Sequence, residues 1–338
     1  MVDKLFRIPD ETPLMGAVSF GLIDRGTNII QVRPSSSCPL NCIFCSTDAG
    51  PCSKRRRTEY EVGMEHLMDW LQPLAELKGK EVEAHIDTVG DPFSYRRLVD
   101  LVSAISDVEQ VGTISLQTHG YLMTEHMLDE LSEAGLDRIN LSLDSTDPYL
   151  AKKLSGTESY DVEKVIAQAR HALENTGMDI LLAPVWVHPL NDSEMEPLVS
   201  LAEKIGAGRR GPPLGIQKCE FHRFGRRTKE MRQQSWYNFY KNLRTLEAKT
   251  GAKLLLRPSD FGIHSARSVE PAFAKNEVVN VRVIGPGWFK GESLAVTKDG
   301  RWSVTLVGED RAEELRDGQE VAVRLLRTRD NVLVGRPR

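Results

Sequence analysis

Cys38-Pro-Leu-Asn-Cys42-Ile-Phe-Cys45 is the segment that most constrains this chain, because it presents three thiols in the spacing C-x3-C-x2-C. Iron–sulfur clusters are normally closed by four cysteine thiolates, so three thiolates can hold three irons of a 4Fe-4S cluster and leave the fourth iron open. A zinc site is the alternative, but such sites usually have a second C-x2-C pair or a histidine partner, and no second pair follows. Cys38, Cys42 and Cys45 are therefore predicted to bind a 4Fe-4S cluster.

With Phe44 directly before the third cysteine, this spacing resembles the cysteine motif of the radical S-adenosylmethionine (SAM) superfamily. The resemblance implies that the open iron binds the amino and carboxylate groups of SAM, with Phe44 beside the cofactors. It also implies that reductive cleavage of SAM yields a 5′-deoxyadenosyl radical, which abstracts a hydrogen atom from the substrate. The expected cofactors are a 4Fe-4S cluster and SAM, and the expected redox partner is a low-potential donor such as ferredoxin or flavodoxin.

Composition and charge exclude several other classes. The chain has 338 residues with 40% hydrophobic and 27% charged residues, which is ordinary for a globular protein with one large domain and a smaller one. No run of about 18 apolar residues suggests a membrane span, and the N-terminus lacks a basic-then-apolar signal pattern. Five cysteines, three in one motif, do not indicate a disulfide framework, so a reducing, cytoplasmic location is expected. A net charge of −4 argues against a uniformly cationic nucleic-acid binder.

Apolar runs alternate with amphipathic helical stretches, which is typical of repeated strand–helix units around a parallel sheet. Six such units are predicted, with strands at residues 29–33, 82–88, 113–117, 138–143, 179–187 and 214–219. Six units give an α/β fold, a partial (β/α)6 TIM-like barrel that is open rather than closed. We expect an N-terminal extension over residues 1–26 and the barrel over residues 27–270.

Reactive residues of parallel β/α barrels lie at the carboxyl ends of the strands, and the motifs of this chain fall there. Gly90-Asp91-Pro92 follows strand two, Thr118-His119 ends strand three, and Ser142 and Asp144 alternate with leucines in strand four. Gly90-Asp91-Pro92 resembles the Gly-Glu-Pro element that holds the SAM amino group, and residues 118–145 resemble the molybdenum-cofactor cyclase branch. The resemblance assigns SAM contacts to Gly90, Asp91, Pro92, Thr118, His119, Ser142, Asp144 and, against adenine, Val187. An ordinary turn and a strand-end cap remain the alternatives for Asp91 and Asp144.

After residue 271 the helical periodicity gives way to about five short β-like runs, which predict a small OB-like barrel over residues 271–338. Val281-Arg-Val-Ile-Gly-Pro-Gly287, Lys290-Gly-Glu292 and Asp317-Gly318 resemble the TRAM domain, a small RNA-binding barrel. The resemblance implies that aromatic faces and cations meet RNA, and the candidates are Trp288, Phe289, Lys290, Arg301 and Trp302. A purely structural barrel with tryptophans in its core is the alternative.

Two further features lie outside these motifs. Arg223, Arg226 and Arg227 form a basic cluster that can bind phosphate, with a solvated loop as the alternative. Cys52 and Cys219 form a catalytic thiol pair if both face the barrel mouth, by analogy with dual-cysteine RNA methylases; otherwise they are a loop residue and a packed thiol.

The leading hypothesis is a radical SAM enzyme that modifies a nucleoside in RNA, most plausibly tRNA. The first alternative is a radical SAM enzyme for a small metabolite or peptide, with the C-terminal barrel as a protein-interaction module. The second is a non-enzymatic iron–sulfur RNA-binding protein.

Overall fold

The computed structural model of the protein describes residues 4–308, 312 and 315–338. Within these residues the helices are α1 (Met64–Lys78), α2 (Leu98–Ser106), α3 (Glu125–Glu133), α4 (Pro148–Ser155), α5 (Val162–Asn175), α6 (Met195–Ile205) and α7 (Trp236–Thr250). The strands are β1 (Lys4–Arg7), β2 (Gly21–Asp24), β3 (Ile29–Arg33), β4 (Thr58–Glu61), β5 (Val82–Ile86), β6 (Val111–Thr118), β7 (Arg138–Leu141), β8 (Asp179–Leu182), β9 (Val185–Trp186), β10 (Gln217–Lys218), β11 (Val278–Pro286), β12 (Glu292–Thr297), β13 (Ser303–Val307), β14 (Glu320–Arg327) and β15 (Val334–Pro337).

The large unit is an open barrel built on one sheet with the strand order β2-β3-β5-β6-β7-β8. Strands β3 to β8 in this order pair in parallel, whereas β2 is antiparallel to β3. Parallel pairing continues between β9 and β10, and a single bridge joins Leu182 to Leu214. This arrangement confirms the α/β fold with a partial barrel, and β2 adds an edge strand from the segment before residue 27.

Most helix boundaries follow from local signals in the sequence. Thr124 caps α3 by accepting a hydrogen bond from the N–H of Met127 at 3.2 Å, as expected for a helix N-cap. Asp147 likewise caps the start of α4, because its side chain accepts a hydrogen bond from the N–H of Leu150, and Gly156 ends this helix. No helix in the described part of the chain combines the length and the apolar character that crossing a membrane requires.

The C-terminal unit is a closed barrel with the strand order β11-β12-β13-β15-β14. Its interior is apolar, because alternate residues of each strand face inward and are buried, as Val281 and Val283 of β11 and Val304 and Leu306 of β13 show. The closed five-stranded barrel confirms the predicted small all-β unit. Because the five strands close on themselves, this sheet has no unpaired edge strand.

The small barrel packs directly on the large one. The N–H of Lys290 donates to the carbonyl of Arg55 at 2.9 Å, and the hydroxyl of Tyr60 donates to the carbonyl of Pro286 at 2.8 Å. The N–H of Ser303 donates to the carbonyl of Met15 at 2.8 Å. Residues before β2 and residues after the cysteine motif therefore both contact the small barrel.

Candidate cluster and cofactor site

The cysteine loop follows β3 and is fixed by backbone contacts of residues that lie between its cysteines. The N–H groups of Asn41 and Ile43 donate to the carbonyls of Ser155 and Leu154, each at 3.0 Å, which ties the loop to the end of α4. Gly50 has a φ of +103°, and a Cβ there would lie 1.7 Å from the carbonyl oxygen of Leu40. A side chain at residue 50 would therefore displace the loop, so glycine is required there.

The three thiols of the motif lie in a low-dielectric environment. Burial raises the pKa of Cys38 and of Cys42 well above the usual range, and the neighbouring thiols and the carboxylates of Asp91 and Asp144 raise these pKa values further. Such thiols ionise when a cation binds them, because the metal compensates the charge that burial disfavours. Within the described residues no three His, Cys, Asp or Glu side chains form a site for one metal ion. A cubane cluster does not require that arrangement, since each thiolate binds a different iron.

Asp91 lies under the cysteine loop and is held by several donors. Its carboxylate accepts hydrogen bonds from the hydroxyl of Thr118 at 2.8 Å and from the N–H groups of His119 and Phe93, each at 3.1 Å. Its own N–H donates to the carbonyl of Ser37 at 2.8 Å. The carboxylate therefore has a fixed orientation one residue before the short 3-10 helix that begins at Pro92.

Gly90 explains why the two loops approach so closely. A Cβ at this residue would lie 2.0 Å from the carbonyl oxygen of Ser37, directly before the first cysteine. The Gly-Asp-Pro turn is thus packed against the start of the cysteine loop. That contact places Asp91 beside Cys38.

His119 connects the cysteine loop to the end of β7. Its Nδ1 lies 2.9 Å from the carbonyl oxygen of Ser142, so Nδ1 carries the proton, and its Nε2 lies 3.9 Å from the Sγ of Cys42. Asp144 accepts a hydrogen bond from the N–H of Val185 at 2.8 Å, and burial raises its pKa to about 6. The structure brings Asp91, His119, Ser142 and Asp144 together at one mouth, whereas their contacts with SAM stay a prediction.

Two of the residues assigned to the cofactor are part of the core. Phe44 is buried among the apolar residues beneath the loop. Val187 has no exposed surface, because the turn that follows it folds back and the Oδ1 of Asn191 accepts its N–H at 2.8 Å. The side chain of Val187 is therefore enclosed in this structure, and its contact with adenine stays a prediction.

Cys52 and Cys219 occupy different environments. Cys219 is buried near Asp144, and burial raises the pKa of its thiol to about 11, so it is protonated at neutral pH. Cys52 is exposed in the loop after the motif, where its N–H donates to the Oδ1 of Asn41 at 2.8 Å. Both are free thiols, and the catalytic pair stays a prediction.

A cation-rich cleft of about 510 Å³ opens beside the cysteine loop. Arg226 fixes its floor, because its N–H donates to the carbonyl of Cys45 at 2.8 Å and its Nε lies 2.7 Å from the Oδ1 of Asp48. The other lining residues are Cys52, Lys54, Arg55, Phe221, His222, Arg223, Phe224, Gly225 and Arg227. We call this feature the basic cleft.

The residues predicted to meet RNA in the small barrel divide into two groups. Trp288 is only 5% exposed, and its ring centroid lies 4.5 Å from the guanidinium carbon of Arg56. It therefore packs between the two barrels in this structure, and its contact with RNA stays a prediction. Phe289 is half-buried against Phe224, with ring centroids 4.9 Å apart. Lys290 and Arg301 are exposed, and Trp302 is half-buried.

Sequence reasoning missed the polar lumen of the large barrel. The inward positions of β5 and β7 carry Glu83, His85, Arg138 and Asn140, and these polar residues line one side of a second cavity of about 510 Å³ whose other side is apolar and aromatic, with residues of β8 and α7. The Nη2 of Arg138 lies 2.5 Å from the Oε1 of Glu83, which also accepts the hydroxyl of Ser115 at 2.5 Å. The signal was present in Val82-Glu-Ala-His-Ile86, where polar residues alternate with apolar ones that pack under the helices.

An open β/α barrel with three thiols and buried carboxylates at its mouth defines a cofactor-dependent barrel protein. Comparison with known proteins specifies the family. Residues 32–202 match the profile of the Radical SAM superfamily. Across 98% of its length the chain is 37% identical to an uncharacterized protein of Methanocaldococcus jannaschii, and covers 80% of it. The chain belongs to the radical SAM superfamily.

Other relatives match only part of the chain. A GTP 3′,8-cyclase of Syntrophomonas wolfei is 29% identical over 59% of this chain and 56% of the cyclase. A second, from Peptoclostridium acidaminophilum, is 30% identical over 52% of each protein. The chain thus spans about half the length of the curated cyclases it matches. The crystal structure of Streptococcus suis SuiB bound to S-adenosylmethionine shares the fold, with a TM-score of 0.51 and 16% identity over 71% of this chain and 51% of SuiB.

The cofactors of this family are a 4Fe-4S cluster and SAM, and the residues at the mouth fit them. Three thiols of one loop supply three ligands, and glycines at positions 50 and 90 permit the close backbone approach that shapes the loop. The buried carboxylates of Asp91 and Asp144 lie where a cationic cofactor would compensate their charge.

Proposed function

We propose that this protein is a radical SAM enzyme that modifies a nucleoside in RNA, with tRNA as the leading substrate. The observation that supports it most is the presence of two different sites, a cavity inside the large barrel and a basic cleft beside the cluster loop. A nucleoside within a polyanion needs both kinds of site.

The lumen fits an uncharged guest rich in hydrogen-bonding groups. The charged side chains that line it are paired, since Arg138 pairs with Glu83 and the Nζ of Lys218 lies 2.8 Å from the Oε1 of Glu220. Burial lowers the pKa of His85, which keeps that imidazole neutral at neutral pH. A nucleobase and its sugar present amide, amine and hydroxyl groups to such a surface, and RNA recognition generally relies on unstacked bases.

The basic cleft fits phosphates. Lys54, Arg55, Arg223 and Arg227 outnumber Asp48, the one carboxylate that lines it, and Asp48 is already engaged by Arg226. Phosphate contacts position a nucleic acid without reading its sequence, so specificity would come from the lumen. The small barrel adds the exposed cations Lys290 and Arg301 on the same molecule, in keeping with a TRAM-like role.

The chain's own residues would bind, orient and shield the reacting groups. When bound, the cluster and SAM supply a carbon radical that abstracts a hydrogen atom from the substrate. Asp91 and Asp144 would orient the ammonium group and ribose of SAM, and the barrel interior would limit the access of water. A ferredoxin-like or flavodoxin-like donor, a cytoplasmic location and the division at residues 27 and 271 belong to this proposal.

Titration of the holoenzyme with bulk tRNA at several salt concentrations tests the proposal. We expect the logarithm of the association constant to fall linearly with the logarithm of the salt concentration, because phosphate contacts release counterions. Arg223→Gln and Arg227→Gln should each reduce the slope by about one. Arg97→Gln, at an exposed ion pair with Glu65 on the outer surface, is the matched control and should leave the slope unchanged. Equal slopes in all four proteins would contradict the proposal.

A free nucleotide is the second candidate, because several relatives over half of this chain are named GTP 3′,8-cyclase. The same basic cleft would then hold a triphosphate rather than an RNA backbone. Competition distinguishes the two: if millimolar GTP displaces tRNA and supports turnover alone, the free nucleotide is the substrate. Turnover that requires RNA supports the first proposal.

A further inference from the structure

Arg56 lies within the basic run of residues 54–57 but is buried, with 1% of its surface exposed. A basic run after a cofactor loop is usually a solvated face or a phosphate site. Here the guanidinium has no access to either water or phosphate. Its five N–H groups must therefore find partners inside the protein, and the identity of those partners shows what the residue does.

The partners of Arg56 are the three segments that surround the cluster loop. Its Nη1 donates to the carbonyl of Ser36 at 2.6 Å, two residues before the first cysteine. Its Nε donates to the carbonyl of Thr47 at 3.0 Å and its Nη2 to the hydroxyl of Thr47 at 2.9 Å, two residues after the third cysteine. Its Nη2 also donates to the carbonyl of Val89 at 2.5 Å, directly before the Gly-Asp-Pro turn.

Thr47 connects Arg56 to the third cysteine of the motif. Its hydroxyl donates to the carbonyl of Val89 at 2.9 Å and lies 3.5 Å from the Sγ of Cys45. One guanidinium therefore fixes both flanks of the cysteine loop and the turn that presents Asp91. Glu59 balances the buried charge, with its two carboxylate oxygens 2.7 and 2.9 Å from Nη1.

The small barrel covers this guanidinium. The indole of Trp288 stacks over it at 4.5 Å, a cation–π contact that is stronger away from water. The N–H of Arg57 donates to the carbonyl of Trp288 at 2.9 Å, and the N–H of Lys290 donates to the carbonyl of Arg55 at 2.9 Å. The backbone on both sides of Arg56 is thus paired with the segment that enters β12.

We propose that Arg56 and Trp288 together hold the cysteine loop in its cluster-binding shape, so that the C-terminal barrel is a structural part of the cluster site. Partners that orient metal ligands without touching the metal commonly control how tightly the metal is held. Arg56 and Trp288 are positioning residues in this sense. The inference does not depend on RNA being the substrate.

Replacement of Arg56 alone would leave Glu59 buried without its partner, which destabilises proteins for reasons unrelated to the cluster. The double variant Arg56→Met/Glu59→Gln removes both charges and keeps the volume similar. Trp288→Leu removes the stacking surface without any change in charge, and Trp288→Phe restores an aromatic face. These three variants separate loop positioning from charge burial.

The experiment reconstitutes each variant anaerobically and measures iron content, the rate of iron loss to a chelator, and the electron paramagnetic resonance spectrum of the reduced cluster with and without SAM. We expect Arg56→Met/Glu59→Gln and Trp288→Leu to retain the cluster about 10- to 100-fold less well than the unmodified protein. The spectrum of any remaining cluster should respond weakly to SAM. Trp288→Phe should recover most of the retention.

Leu306→Ala is the control, because Leu306 is fully buried in the small-barrel core and contacts neither Arg56 nor the loop. It should lower the thermal midpoint while leaving iron retention and the spectrum unchanged. Full retention in Trp288→Leu, or equal iron loss in Leu306→Ala and Trp288→Leu, would overturn the proposal. If the double variant does not fold, the contrast between Trp288→Leu and Trp288→Phe decides.

Discussion

The two barrels of this protein are built from strands with the same alternation of side chains, yet their interiors are opposite in character. The small barrel is filled with apolar residues, such as Val283 and Leu306. The inward positions of the large barrel carry Glu83, His85, Arg138 and Asn140 around a cavity. A packed apolar interior stabilises a fold, whereas a polar interior with space in it is retained for a guest.

The two barrels also differ in where their buried apolar residues lie. In the large barrel, the apolar residues that stabilise the fold lie between the sheet and the helices. Ala84, Ile86, Ile139 and Leu141 are fully buried there.

The largest expected effect is at the mouth of the large barrel. Cys42→Ala removes one of three cluster ligands and should abolish iron retention and all formation of 5′-deoxyadenosine from SAM, because no other thiol replaces it on the loop. Iron analysis and chromatography of the products measure this. Cys52→Ala is the matched control and should keep its iron. Stable iron in Cys42→Ala would contradict the assignment of the ligands.

The next effect concerns the lumen pair. Glu83→Gln leaves Arg138 buried without a carboxylate and should lower the free energy of unfolding by about 3 to 5 kcal/mol. The double variant Glu83→Gln/Arg138→Met should recover most of that loss in denaturant titrations, because no charge remains buried. It should nonetheless raise KM severalfold, since the polar lining is lost. An unchanged KM in the double variant would show that the lumen does not bind the substrate.

Leu306→Ala tests the apolar interior of the small barrel. Removal of a fully buried leucine from the small-barrel core should lower the free energy of unfolding by about 2 to 5 kcal/mol, through lost burial and the cavity left behind. KM should not change, because this core binds nothing. A shift in KM as large as that of the lumen double variant would remove the distinction between the two interiors.

The smallest effect is a pH dependence in the small barrel. Burial raises the pKa of Glu292 from its usual 4.5 to about 7, and the N–H of Phe289 lowers it in part. Below pH 4.5 the carboxyl is protonated in the folded and the unfolded chain alike, so it does not affect stability. Between pH 4.5 and about 7 the unfolded chain loses the proton first, so stability should fall by up to about 3 kcal/mol. Glu292→Gln should remove this fall in thermal scans, and a steeper fall in the variant would contradict the account.

Local signals in the sequence predicted much of this architecture. The cysteine spacing indicated the cluster, and the alternating apolar runs indicated the strands of both barrels, because burial of one face imposes a period of two. The positions of Asp91, His119 and Asp144 followed from their places at strand ends. Each of these predictions depends only on residues that are close together in the sequence.

The sequence did not show which side chains become buried, whether by distant segments or by a local turn. Trp288 was predicted to meet RNA and Arg56 lies in a basic run, yet the packing of one barrel on the other buries them together. Val187 was assigned to adenine by position, but the turn through Asn191 buries it. A single sequence does not indicate which aromatic or cationic side chain finds a partner some 230 residues away, which here is the separation of Arg56 from Trp288.

The most direct test of the central claim is mass spectrometry of RNA nucleosides after incubation of tRNA from a deletion strain with the reduced holoenzyme and SAM. The account predicts a nucleoside of altered mass together with RNA-dependent 5′-deoxyadenosine, and neither product with Cys42→Ala. Unaltered RNA nucleosides, with 5′-deoxyadenosine formed only when a free nucleotide or a peptide is supplied, would contradict it.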